Sequence, residues 1–232
     1  MDMKPAPEII SQRLKGQLAP AYLTLTSIIQ GVAFAFLATR VEATYARFDA
    51  ADWLLTTATF VGFLTLWNEY LMQILMFVWV PTLVDSLVPF AFLASELFAA
   101  HFVYHDLRSW LLSLGLTFVV GTIASIVTSM QARTFPEENR DIARAIAPLQ
   151  RVRGALSMAI LVLCLGGWAL YDVLRLEQAR IVVASIAVVA IILFLGSSVP
   201  YWNRVLAYAR GDYKKVADRF ITQHSKGKKH ER

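Results

Sequence analysis

Charge, cysteine and catalytic motifs are all scarce in this 232-residue chain. Only 17% of the residues are charged, where a water-soluble domain carries about a quarter, so an ordinary soluble fold is excluded. The single cysteine, Cys164, lies inside an apolar segment, so one chain can build neither a disulfide framework nor a four-ligand zinc site. There is no nucleophile motif, no phosphate-binding glycine loop and no HExxH or other dense His/Asp cluster. An enzyme is therefore not expected, nor a cofactor or a metal. His101 and His105 are spaced i, i+4 beside Asp106, but two histidines at the end of an apolar run are interfacial residues more often than ligands.

What the chain has in quantity is apolar sequence: 57% of residues, with a mean hydropathy of +0.53. A spanning helix needs roughly 20 such residues, because each rises about 1.5 Å through a hydrocarbon layer of about 30 Å. Six segments qualify, at 21–39, 53–79, 82–104, 109–130, 154–173 and 180–199, with Pro81 breaking the second from the third. The expected fold is all-α and polytopic, with six transmembrane helices. The first is taken as a permanent helix behind a charged arm, residues 1–20, and not as a cleaved signal.

Lys and Arg in the connections set orientation, since basic loops stay on the cytoplasmic side. The N-terminal arm, the 134–153 loop with its flanking Arg133, and the C-terminal region together hold 17 of them, and the other connections hold five. Both termini are thus expected in the cytoplasm of a multi-pass cell-membrane protein, the bacterial inner membrane being the first choice. The net charge of +5 follows this topology, so nucleic acid is not an expected partner. Trp53, Trp110, Trp168, Tyr104 and Tyr171 are placed at the outer headgroup level, and Tyr22, Trp79, Tyr201 and Trp202 at the inner one.

Outside the spans, 134–153 opens with Pro-Glu-Glu and sets Ile142, Ile146 and Leu149 at helical spacing opposite arginines. That pattern suggests a short amphipathic helix lying on the inner leaflet. Residues 200–232 continue as an amphipathic helix and a basic tail able to hold anionic lipid.

Polar residues interrupt the spans. Glu69, about half-way along the second, and Glu96, near the middle of the third, cannot face hydrocarbon cheaply. Thr59, Gly62, Thr65, Glu69 and Gln73 recur every three or four residues, making one polar face; Asp85, Pro89, Phe92 and Glu96 do the same on the third span. Two readings stay open. Either these faces meet with Gln30 around a water or ion path, or the glutamates are neutral and hydrogen-bonded to Gln30, Gln73 or backbone, locking the bundle. On the fourth span Ser109, Ser113, Thr117, Gly121, Ser125 and Ser129 repeat every four residues, as a helix-packing seam does, with a pore lining as the weaker alternative.

The order of these features resembles the six-helix potassium channels of bacteria and lysosomes that carry a Phe-Ser-Asp signature. "SIIQGVAFAFLATRVE" is similar to that family's first helix, with Ile28, Ile29 and Gln30 standing where the signature stands. "LWNEYLMQ" and "DSLVPFAFLASE" are similar to its Trp-x-Asn patch and Leu-Pro-Phe third helix. The resemblance implies a homo-oligomer, a tetramer by preference, whose first helices line a cation pore narrowed at Phe34, Phe36 and Leu37. The expected function is an oligomeric channel for monovalent cations, tuned by Gln30, Glu69 and Glu96. The alternative is a non-conducting membrane module that engages a cytosolic protein partner through the basic loop and C-terminal helix.

Overall fold

The computed structural model describes residues 6–78, 82–104, 106–133 and 135–210, with side chains from Pro20 onward except at 208 and 209. It is all-α and 88% helical over those residues. The helices are α1 (Ala6–Thr44), α2 (Ala50–Met76), α3 (Leu83–His101), α4 (Leu107–Ala132), α5 (Pro136–Ala169), α6 (Arg180–Gly196) and α7 (Ser198–Ala209), with a 3-10 turn at Tyr45–Arg47. Six are long and apolar enough to cross a bilayer, and the sixth such stretch, Arg180–Ala207, takes in α7.

Local sequence chemistry sets the helix starts. Asp49 caps α2 by accepting from the Asp52 N–H at 2.8 Å, and Asp52 returns the bond at 3.1 Å. Asp85 accepts from the Thr82 N–H at 2.7 Å ahead of α3, Asp106 accepts from the Ser109 N–H at 2.9 Å ahead of α4, and Pro136 opens α5.

Two pairs of helices run parallel in fixed register. Tyr22 meets Asp85, Gln30 meets Glu96 and Arg40 meets His101, which aligns α1 with α3. Arg180 meets Asp52 and Ser198 approaches Glu69, which aligns α6 and the start of α7 with α2. Helices α4 and α5 also approach closely, where a Cβ on Gly115 would stand 2.7 Å from the Leu165 side chain. Val78, Ala132 and Asn139 meet at one end of the bundle, called here the basic end, where Asn139 accepts from the Val78 N–H at 2.9 Å and donates to the Val78 and Ala132 carbonyls.

Two expectations change. Helix α1 already begins at Ala6 and passes through Pro20, so the charged arm is an extension of the first helix. The 134–153 segment is not a separate surface helix but the first half of α5, continuous through Pro148. Ile142 and Ile146 are buried against Met72, Met76 and Phe77 of α2 and Tyr201 of α7, with Leu149 packed beside them. Protein, not lipid, takes that apolar face, because the ends of α2 and α7 offer carbon where the sequence pattern suggested only a leaflet. Of the region expected after 199, α7 is helical to Ala209; the basic tail lies outside the described residues.

Candidate functional site

The polar faces of α2, α3 and α4 border a single cavity of about 370 Å³ inside the bundle. Thr59, Gly62, Thr65, Glu69 and Gln73 all line it from α2, and Asp85, Phe92 and Glu96 from α3. From α4 come Thr117, Gly121, Ser125 and Ser129, so the small-residue repeat forms cavity wall as well as packing surface. Thr117 donates to Ser95 on α3 at 3.0 Å, and Ser113 is buried, donating to the Ser109 carbonyl at 2.8 Å.

Each polar residue singled out from the sequence has a definite partner. Gln30 does not reach the cavity; its Nε2 donates to both Glu96 oxygens, at 2.8 and 3.1 Å, from behind. Gln73 accepts from Thr128 at 3.1 Å. Asp85 accepts from the Thr82 hydroxyl at 2.7 Å and from Gln131, while its backbone carbonyl accepts from Tyr22 at 3.0 Å. Glu69 forms an ion pair with Arg153 of α5, and Ser198 Oγ lies 3.5 Å from the same oxygen.

Arg153 is the residue that sequence reading assigned to the wrong setting. Counted among the topology-setting arginines, it is in fact buried at 7% exposure and fills the junction between α6 and α7. Its guanidinium donates to Ser197 at 2.7 Å and Ser198 at 2.9 Å, and stands 4.8 Å from the Phe194 ring centroid and 5.7 Å from that of Tyr201. The local signal was the acid itself, since a carboxylate inside a span calls for a buried cation.

These contacts explain the polar interruption in α2. Asn68 accepts from Trp202 Nε1 at 2.8 Å, Glu69 takes Arg153, and Trp67, 40% exposed, turns to the outside of the bundle. Glu69 therefore lies at the level where α7 begins, nearer the basic end than the half-way point expected for it. The side-chain pairs linking the helices put Asp85, Glu69 and Glu96 at successive levels, spread over about 16 Å at 1.5 Å per residue.

At the opposite end the cavity stops at Trp110, which is fully buried and donates to Thr59 at 2.9 Å. It was expected among the outer-surface aromatics; the Thr59 hydroxyl gives its indole N–H a partner inside the bundle. Tyr201 is likewise buried, at 5% exposure. Arg180, counted as an outer-loop positive, and Asp52, unremarked in the sequence, form a second buried ion pair nearby.

The constriction candidates point different ways. Leu37 is buried in the core with Ala33, and Phe34 packs between Phe60 and Phe63 at centroid distances of 5.4 and 5.6 Å. Phe36, 37% exposed, lies on the outer face of α1 with Ile28 and Val32. His105 lies outside the described residues, and among those described no three His, Cys, Asp or Glu side chains converge.

No protein-family model, no curated protein and no solved structure matches the chain. The channel resemblance rests on its quoted residues alone.

Proposed function

We propose that this chain is a membrane transport protein for a monovalent cation, the proton included, whose path is the cavity within each protomer. The observation that carries this reading is the charge inventory of the wall, where three carboxylates, Asp85, Glu69 and Glu96, face one guanidinium, Arg153. In a low-dielectric interior a surplus of acidic groups attracts cations and repels anions. A pore on an oligomer axis lined by α1 has less support, because Gln30 and Leu37 turn into the protomer, and on the exposed face Thr24 and Thr39 turn their hydroxyls to their own helix among apolar side chains.

Liposomes containing the purified chain should pass K+, Na+ or protons down an imposed gradient. Glu96→Gln should slow that flux about tenfold, a barrier change of about 1.4 kcal/mol. Phe36→Ala should leave it unchanged. A silent wild type at every pH and voltage tried overturns the proposal, and a strong Phe36→Ala effect with a weak Glu96→Gln effect returns the path to an α1-lined axis.

A second reading, the module that engages a cytosolic partner, draws on the continuity of α5, which joins the segment at the basic end to Arg153 on the cavity wall in one helix. Silent liposomes, together with a soluble protein that co-purifies with the full chain and is lost on truncation after Arg210, favour that reading.

A further inference from the structure

Three rings, from α1, α2 and α3, stand together on the cavity wall between the levels of Asp85 and Glu96, with Phe92 one turn from Glu96 on α3. Tyr22 and Tyr70 have centroids 6.3 Å apart at 60°, and Tyr70 and Phe92 have centroids 5.5 Å apart at 78°. All three border the cavity, as does Glu96. Their polar atoms are not equally employed. The Tyr22 hydroxyl is committed to the Asp85 carbonyl at 3.0 Å. Tyr70 is 7% exposed and its hydroxyl has no hydrogen-bond partner among the described residues. A buried phenol oxygen without a partner is a cost that a ligand can relieve.

Glu96 is set apart from Asp52 and Glu69. Each of those pairs with a guanidinium, whereas Glu96, 1% exposed, receives only the neutral Gln30 amide among the described residues; Asp85, also buried, has three neutral donors, the Thr82 N–H and hydroxyl and Gln131. A carboxyl group has about four lone-pair sites, so acceptor capacity remains beyond the one amide. Behind it the Gln30 Oε1 is also buried without a partner. The neighbourhood is rich in acceptors, short of cations and walled by aromatic faces, which attract positive charge.

From this arrangement we infer that the cavity binds an organic ammonium ion, with the nitrogen between Glu96 and the Tyr70 oxygen and the carbon body against the rings of Phe92 and Phe118. The inference rests on the cation-pathway reading and names its substrate class. The wall also holds Leu114, Phe118, Ile191 and Phe194, apolar side chains against which a carbon body can pack. A volume of about 370 Å³ lies in the lower part of the range for small-molecule pockets.

The test is calorimetric titration of the full chain in nanodiscs with 2-phenylethylammonium and with 2-phenylethanol, its uncharged counterpart of similar size. The ammonium should bind at least about tenfold more tightly than the alcohol. Tyr70→Phe should weaken the ammonium about fivefold and leave the alcohol unchanged. Glu96→Gln should abolish the preference while still binding the alcohol, which also shows that this variant is folded. Equal affinities in the wild type, no binding to the folded wild type, or an intact preference in Glu96→Gln overturns the inference. Flux is the separate readout: ammonium binding with silent liposomes keeps the site and removes the transport reading, whereas K+ flux without ammonium binding keeps transport and removes the site.

Discussion

Helix α2 carries two acids that each meet an arginine from another helix, and the two pairs do different things. Asp52, in the first turn, is fully buried with Arg180, which also donates to Asp49 at 3.0 Å. About 26 Å further along the helix, at 1.5 Å per residue, Glu69 meets Arg153. The first pair is not part of the cavity lining; the second lies on the cavity wall, with a quarter of the Glu69 side chain exposed. One interaction type thus serves to fix the register of α6 on α2 at one end and to place charge beside the cavity at the other.

Breaking the first pair should have the larger effect on stability. Arg180→Met strands Asp52 without a cation in a site that admits no solvent, at a cost of about 3–5 kcal/mol. Thermal unfolding in nanodiscs should show a large loss, and the double variant Asp52→Asn with Arg180→Met should recover part of it, because no uncompensated charge remains. An unchanged melting temperature for the single variant would mean that Asp52 is adequately solvated by its capping role alone.

Arg153→Met sharpens the contrast. Partial exposure of Glu69 to the cavity softens the penalty to about 2–3 kcal/mol. The same substitution removes the one cation from the wall, so cation flux should change in kind, with a rise or a shift in voltage dependence beyond any loss of folded protein. If Arg153→Met and Arg180→Met alter flux only in proportion to folded protein, the two pairs are equivalent and the cavity pair has no special standing.

The sequence made the six span-length helices legible because crossing about 30 Å of hydrocarbon demands long apolar runs, and runs of that length are hard to disguise. The α2 polar face was equally open to inspection: residues three and four apart share a helix side, and all five members line the cavity. What stayed hidden were partners distant in sequence. Arg153 sits 84 residues from Glu69 and borders an apolar run, where an arginine that only sets topology would look the same. Trp110 was hidden for a similar reason, since an indole near a helix start fits a headgroup or an interior hydroxyl equally well until Thr59 is located. The continuity of α5 was hidden for the same reason: Pro-Glu-Glu marked its start, but the arginines ahead of the span resemble a break, while the partners that bury its first half, the ends of α2 and α7, are distant in sequence.

A third ion pair lies at the Arg180 end and marks the lower limit of the series. Arg108 Nη1 is 3.1 Å from Asp172, with the side chains 46% and 77% exposed, and the guanidinium also stands 5.8 Å from the Tyr171 ring centroid. Exposed pairs gain little, because water and salt screen them within about 8 Å and two long side chains must be held still. Asp172→Asn should therefore change stability by less than about 0.5 kcal/mol in physiological salt, and less again at high salt. The same nanodisc melting experiment decides it. A loss above about 1 kcal/mol would mean that the pair is shielded from solvent by something the isolated chain does not contain, such as lipid headgroups or a second copy, and would place it with Asp52 and Arg180 rather than apart from them.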